Sequence, residues 1–150
     1  MRQAKTFIKI MTQEEKDLLL KDLCARLPYG VKCKVVKYSI DGEMLFIRDG
    51  LELTVDNVKE LVTNNMYEIK PYLFPLSSMT EEQKEELKNE ISKQTDILIE
   101  RMKNDDCGID CGKYHFHSLL ELEWCIKNHF DYRGLIPMDL ANNATGLNIY

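Results

Sequence analysis

The sequence predicts a single α+β domain in which a small antiparallel sheet packs against two or three helices. Three observations favour this fold class: helical capping boxes, a segment of alternating apolar and polar residues, and a hairpin signal at Asp41-Gly42. A chain of 150 residues with 44% hydrophobic content is long enough for one core. We therefore expect one domain over residues 1–150, with residues 1–10 as an alternative upstream extension because a second Met follows them.

The first helix is predicted where Thr12 and Glu15 form a capping box, since leucines follow at helical spacing. Pro28-Tyr29-Gly30 ends this helix. Cys24 in the helix, like Cys33 and Cys125 later in the chain, has apolar neighbours and is expected in the core.

Residues 31–40 are predicted to form a strand, and their apolar alternation changes phase after Val36. A bulge, or burial of the strand on both faces, would explain this change. Asp41-Gly42 favours a hairpin, so residues 43–48 should return antiparallel. The sheet is expected to come chiefly from residues 31–55.

The stretch after this hairpin leaves alternatives open. Asp49-Gly50 repeats the turn signal, so residues 51–55 form a third strand or lead directly into a short helix near residues 56–63, with Thr54 as its cap. Residues 69–78 carry two prolines and are expected to be extended and packed, but outside any central strand.

Two more helices are predicted in the second half of the chain. Thr80 and Gln83 form a capping box that opens a helix to about residue 103. A final helix is expected over residues 117–128, with Gly134 providing the backbone freedom to leave it. Residues 144–150 are expected to form an edge strand or a packed tail.

Composition limits the classes of partner and the location. The net charge of −5 provides no concentrated basic face, so general nucleic-acid binding is disfavoured. No apolar run approaches the length of a membrane span, and the N-terminus does not resemble a secretory signal. Five cysteines, an odd number, then favour reduced thiols and a cytoplasmic location. The acidic surface permits a homo-oligomer.

A zinc site is one chemical hypothesis. Cys107, Cys111, His115 and His117 offer four zinc ligands within eleven residues. Because the paired C-x2-C spacing is absent, an ordinary loop with a half-buried histidine is the alternative interpretation. No other cofactor is expected.

The turn after the last predicted helix is the principal candidate site. It combines His129, Asp131, Tyr132 and Arg133. Arg can fork onto a carboxylate or phosphate, and Tyr and His can stack on a flat ring. Further polar residues expected to contribute are Tyr29, Lys70, Tyr72, Ser77, Ser78 and Tyr150. The alternative is a structural turn in which Arg133 pairs with Asp131 or a helix C-terminus.

Catalytic patterns are largely missing from the sequence. It has no phosphate-cradling glycine loop, no G-x-S-x-G elbow and no H-E-x-x-H helix. Cys125 and His129 are four residues apart and would share a helix face, so Cys125 as nucleophile or His129 as general base is the enzymatic alternative.

Three ordered motifs carry a family resemblance: LPYGV at 27–31, IKPYLFPLSSMTEEQK at 69–84 and NHFDYRGLI at 128–136. Over about residues 11–136 the chain resembles a family of small uncharacterised proteins of gut Bacteroidetes and their phages and prophages. Here Asn128-His129 replaces the family's pair of histidines, and the tail and the 107–117 loop depart from its pattern.

The resemblance implies a phage or prophage setting, and therefore the cytoplasm of a bacterial host cell, but no established activity. Small phage proteins without catalytic motifs often act by binding. We expect a non-enzymatic binding protein that counteracts host defence by sequestering a small anionic or nucleotide-like ligand, or by blocking a host protein. The alternatives are a small enzyme acting on a nucleotide or peptide, and a zinc-stapled structural or adaptor protein.

Overall fold

The computed structural model describes residues 10–104 and 113–150, except for the side chains of residues 98, 101–104 and 113–117. The helices in this part of the chain are α1 (Gln13–Arg26), α2 (Val55–Thr63), α3 (Glu81–Asn104) and α4 (Lys113–Lys127). The strands are β1 (Lys32–Tyr38), β2 (Met44–Glu52), β3 (Tyr67–Leu73) and β4 (Asn142–Asn143), arranged in the order β2-β1-β3-β4. The α+β prediction is confirmed, although the sheet is mixed because β4 runs parallel to β3.

Helices α1, α2 and α3 begin at the positions predicted from their capping residues. The Thr12 hydroxyl accepts the Glu15 N–H while the Glu15 carboxylate accepts the Thr12 N–H. Thr80 and Gln83 exchange the same two bonds at the start of α3. Thr54 caps α2, so the chain passes directly from β2 into α2 without a further strand. None of the described helices is apolar over a stretch long enough to cross a membrane.

The last helix, α4, begins one turn earlier than expected and ends in a Schellman motif. The N–H of Phe130 donates to Cys125 O and the N–H of His129 donates to Ile126 O. This motif requires a left-handed residue after the helix, and His129 adopts it with φ 64°. The prediction that Gly134 makes this exit was wrong, because Gly134 lies in the following turn.

The phase change in β1 reflects burial on both faces, as Val35 and Val36 are both buried. The pairing of β1 with β3 is regular, whereas its pairing with β2 shifts register. Asp49 and Gly50 both lie opposite Lys34, and Gly50 has φ 67°. The prediction of a second turn at Asp49-Gly50 was therefore wrong, because these residues form a β-bulge inside β2.

The structure corrects the prediction for residues 69–78, since β3 lies between β1 and β4. The N–H of Tyr38 donates to Met66 O, so the backbone groups of Met66 point toward β1. Because the register is regular, the N–H and C=O groups of every second residue along the strand point the same way. The backbone groups of Ile69 and Pro71 therefore face away from β1. A proline is tolerated at position 71 because an N–H there would make no hydrogen bond to β1. The short strand β4 pairs with the two residues that follow Pro71.

Two apolar clusters stabilise the domain. The larger fills the space between α1, α2 and the sheet, and contains Leu19, Leu23, Val31, Cys33, Val35, Leu53, Leu61, Ile69, Leu73, Leu135 and Leu140 among others. The smaller combines Trp124, Cys125 and Phe130 with Phe74, Met79 and Leu87. Burial of Cys33 and Cys125 confirms their prediction. Cys24 is exposed, so its prediction was wrong.

A fully buried ion pair within α1 is hydrogen-bonded through its arginine to the end of α4. Arg26 Nε lies 2.6 Å from Asp22 Oδ2, and both side chains are 0% exposed. The Arg26 guanidinium also donates to Phe130 O at 2.7 Å and to Ile126 O at 3.4 Å. Its donors therefore satisfy carbonyl groups at a helix C-terminus that would otherwise be buried without enough partners.

We expect Arg26→Leu to lower the free energy of unfolding by about 3 kcal/mol, because it leaves the Asp22 carboxylate buried without its main partner. Urea denaturation followed by circular dichroism measures this change. Lys84→Leu is the matched control, since it breaks an exposed ion pair with Glu81 and should cost less than about 1 kcal/mol. Equal effects of the two substitutions would contradict the role of the buried pair.

Candidate functional site

The predicted site at residues 129–133, here called the His129 turn, is anchored by its own backbone. The N–H of Phe74 donates to His129 O and the N–H of Asp131 donates to Phe74 O, both at 2.8 Å. The Asp131 carboxylate accepts the N–H groups of Leu135 and Ile136 at 2.8 and 2.9 Å. The oxygens of Asp131 are thus used to shape the following turn.

The guanidinium of Arg133 is directed toward α1. Its Nε lies 3.3 Å from Asp22 Oδ1, and its side chain is 16% exposed. That Nε makes no hydrogen bond among the described residues, so its contact with Asp22 is electrostatic. Arg133 therefore pairs with Asp22 and not with Asp131, while Tyr132 is exposed.

The ring of His129 stacks on Tyr150, with centroids 3.9 Å apart and planes inclined by 11°. The Tyr150 hydroxyl donates to Tyr72 O and accepts the N–H of Lys32. His129 Nδ1 is buried without a hydrogen-bond partner in the described chain. Burial, reinforced by the positive charge of Arg26, lowers the His129 pKa to about 4. The imidazole is therefore neutral at physiological pH.

The geometry does not favour Cys125 and His129 as a nucleophile and base. Burial raises the pKa of the Cys125 thiol to about 11, and the nearby Glu121 carboxylate adds to this shift. An activated cysteine needs the opposite environment, in which positive charge stabilises the thiolate. Cys125 instead packs with Trp124 and Phe130 in the smaller apolar cluster.

The other predicted site residues do not converge on the His129 turn. The Tyr72 hydroxyl donates to Asp49, while its backbone reaches the turn through Tyr150. The Ser78 hydroxyl donates to Pro75 O, Ser77 is exposed, and Tyr29 is half-buried in a short 3-10 turn. Tyr29, Ser77 and Ser78 form no hydrogen bond with the turn in the part of the chain that is described.

The predicted zinc ligands cannot be placed. Cys107 and Cys111 lie outside the described residues, as do the side chains of His115 and His117, whose backbone belongs to α4. Among the described residues there is no group of three or more His, Cys, Asp and Glu side chains suited to a metal ion. The zinc site stays a prediction.

A cleft of about 430 Å³ lies between α1, the end of α2 and β3. Its apolar floor contains Leu19, Leu61, Ile69 and Leu140, its rim includes Lys16, Asn65, Glu68, Lys70 and Asp139, and Ile10, Met11 and Tyr67 also line it. Lys70 Nζ lies 2.9 Å from Asp139 Oδ1 and 3.7 Å from Glu68 Oε1. Of the residues predicted for the site, Lys70 is the one that lines this cleft.

The sequence contained a signal for the buried ion pair that our prediction missed. Asp22 and Arg26 are four residues apart and fall on the same helix face as Leu19 and Leu23, a position where unpaired charges would be costly. The floor of the cleft gave no comparable signal, because apolar residues that line a cleft and those that fill a core have the same spacing.

Comparison of the chain with protein-family models, curated proteins and solved structures found no match. The resemblance to proteins of Bacteroidetes and their phages therefore stays a prediction.

We expect a pH dependence of stability from His129. Its pKa of about 4 in the folded state lies below the ordinary 6.5, so its contribution is fully present above pH 6.5 and is lost as the pH falls toward 4. The melting temperature of the wild type should therefore fall more steeply over this range than that of His129→Asn. Asn is the matched substitution because it tolerates the left-handed backbone. If the melting temperatures of the two proteins fell by the same amount over this pH range, the pH dependence would not come from His129.

Proposed function

We propose that the chain is a non-enzymatic binding protein that docks an extended segment of a partner protein against the open edge of β3. The observation that carries this proposal is the position of Ile69. Its backbone N–H and C=O face the cleft, and no described residue pairs with them. An unpaired strand edge is a ready template for a further strand.

The edge of β3 is better suited to this role than the edge of β2. The pairing of β2 with β1 shifts register twice, and the β-bulge at Asp49-Gly50 directly follows the charged Arg48. Bulges and charges are features that protect a sheet edge from further pairing. The edge of β3 is regular over residues 67–71 and is bordered by an apolar floor that can receive a side chain.

The charges around the cleft favour a protein partner over an anionic ligand. Lys70 lies between Asp139 and Glu68, so the cleft presents charges of both signs, which a peptide segment carrying both signs can match and a purely anionic ligand cannot. Arg133, the other cation predicted to bind an anion, faces the buried Asp22. We therefore favour the blocking of a host protein over the sequestering of a nucleotide, within the phage or prophage setting that the resemblance implies.

Asn65→Trp should abolish docking, because Asn65 is exposed on the rim and an indole there would fill the cleft without disturbing the core. The probes are peptides selected against the wild type from a random display library and measured by fluorescence anisotropy. We expect at least about tenfold weaker binding to Asn65→Trp. Asn89→Trp, on the exposed surface of α3, is the matched control and should bind as the wild type does.

Backbone N-methylation of the selected peptides provides a second test, since it removes strand hydrogen bonds and keeps every side chain. Methylated peptides should lose binding. In the NMR spectrum of the wild type, the shifts caused by unmodified peptides should centre on Ile69 and Leu140. Shifts centred on His129 and Tyr132, or equal binding to Asn65→Trp and the wild type, would refute docking in the cleft.

A further inference from the structure

The free backbone groups at the edge of β3 favour one direction for a docked strand. The N–H and C=O of Ile69 both point outward, and one residue of an antiparallel strand can bond to both, whereas a parallel strand needs two residues. The next outward carbonyl belongs to Tyr67, whose N–H is already bonded to Asn64 O. On the other side, Pro71 offers no N–H. Both directions can use the same free groups, but parallel pairing is slightly less stable per residue, so an antiparallel guest is favoured.

The residue opposite Ile69 would enter the apolar floor of the cleft. Residues directly opposite each other in an antiparallel pair point to the same face of the sheet. The Ile69 side chain lies in the main core with Leu19 and Leu61, so this face is the helix side of the sheet. These three side chains are 1% exposed, so a guest side chain there meets the partly buried Met11 and Tyr67, which line the cleft and pack on the same core. It should be aliphatic, preferably β-branched, as strands favour.

The two residues that flank this aliphatic residue would face side chains that differ in sign, one positive and one negative. Glu68 and Lys70 point to the other face, and their side chains are 21% and 18% exposed. In an antiparallel guest the residue before the aliphatic one faces Lys70 and the residue after it faces Glu68. Asp139, which holds Lys70, has a side chain that is 69% exposed, so its ion pair is weak enough for a guest carboxylate to share.

We propose that the docked segment runs antiparallel to β3 and carries an acidic, an aliphatic and a basic residue in that order. This inference rests on the proposed function and specifies the chemistry of its partner. The acidic residue pairs with Lys70, the aliphatic residue fills the floor beside Ile69, and the basic residue pairs with Glu68.

Two synthetic peptides of identical composition test this order: acetyl-Thr-Thr-Asp-Val-Lys-Thr-Thr-amide and acetyl-Thr-Thr-Lys-Val-Asp-Thr-Thr-amide. Binding to the full chain is followed by NMR titration of the Ile69 amide. The first peptide should bind about fivefold more tightly, because opposite charges across a strand pair attract and like charges repel. Glu68→Gln and Lys70→Gln should each reduce this preference, and Asn65→Trp should remove binding of both peptides.

The outcomes separate the inference from the function on which it rests. The second peptide is the first read backwards, so a preference for it would indicate a parallel guest and overturn the inference. Equal binding of both peptides, blocked by Asn65→Trp, would overturn the charge order while docking stands. If neither peptide binds but library peptides do bind in the cleft, the inference also fails. If nothing binds in the cleft, the proposed function fails as well.

Discussion

The ion pair between Asp22 and Arg26 is the constraint on which much of the structure depends. Both charges lose their hydration inside the protein, and each is stabilised by the other. Arg26 also donates hydrogen bonds to carbonyl groups at the end of α4. Residues about a hundred positions apart are joined in this way. Because the same segment continues into the His129 turn and bonds to Phe74, the ion pair also fixes where β3 ends relative to α1.

Local hydrogen-bond chemistry made the helix starts predictable, since Thr12 and Thr80 each find their partner three residues along the chain. Patterns that depend on distant residues were less informative. Asp49-Gly50 has the composition of a turn, but its neighbour in β1 holds it within a strand. The presence of Pro71 in the sequence indicated that this segment is not a central strand. The register of β3 shows that the nitrogen of Pro71 faces away from β1, so the missing N–H costs no hydrogen bond to β1.

In the candidate site, too, local features were predictable from the sequence and contacts with distant residues were not. The sequence identified the polar residues of the His129 turn, but not their partners, which lie in α1, in the following turn and at Tyr150. The side chains of the turn are therefore mostly engaged within the protein. The cleft arises because β4 pairs with the last two residues of β3 and leaves Ile69 open. No short motif encodes such a gap, and Lys70 entered the prediction for its charge and not for its place beside that edge.

The position of Pro71 has a consequence for the behaviour of the protein at high concentration. An open strand edge usually allows one chain after another to add, which leads to fibres. Here hydrogen bonding cannot extend past Pro71, and β4 occupies the edge beyond it. The run of free backbone groups is therefore too short for a long cross-β contact between copies. The docking that we propose at this edge would therefore leave little template for amyloid growth.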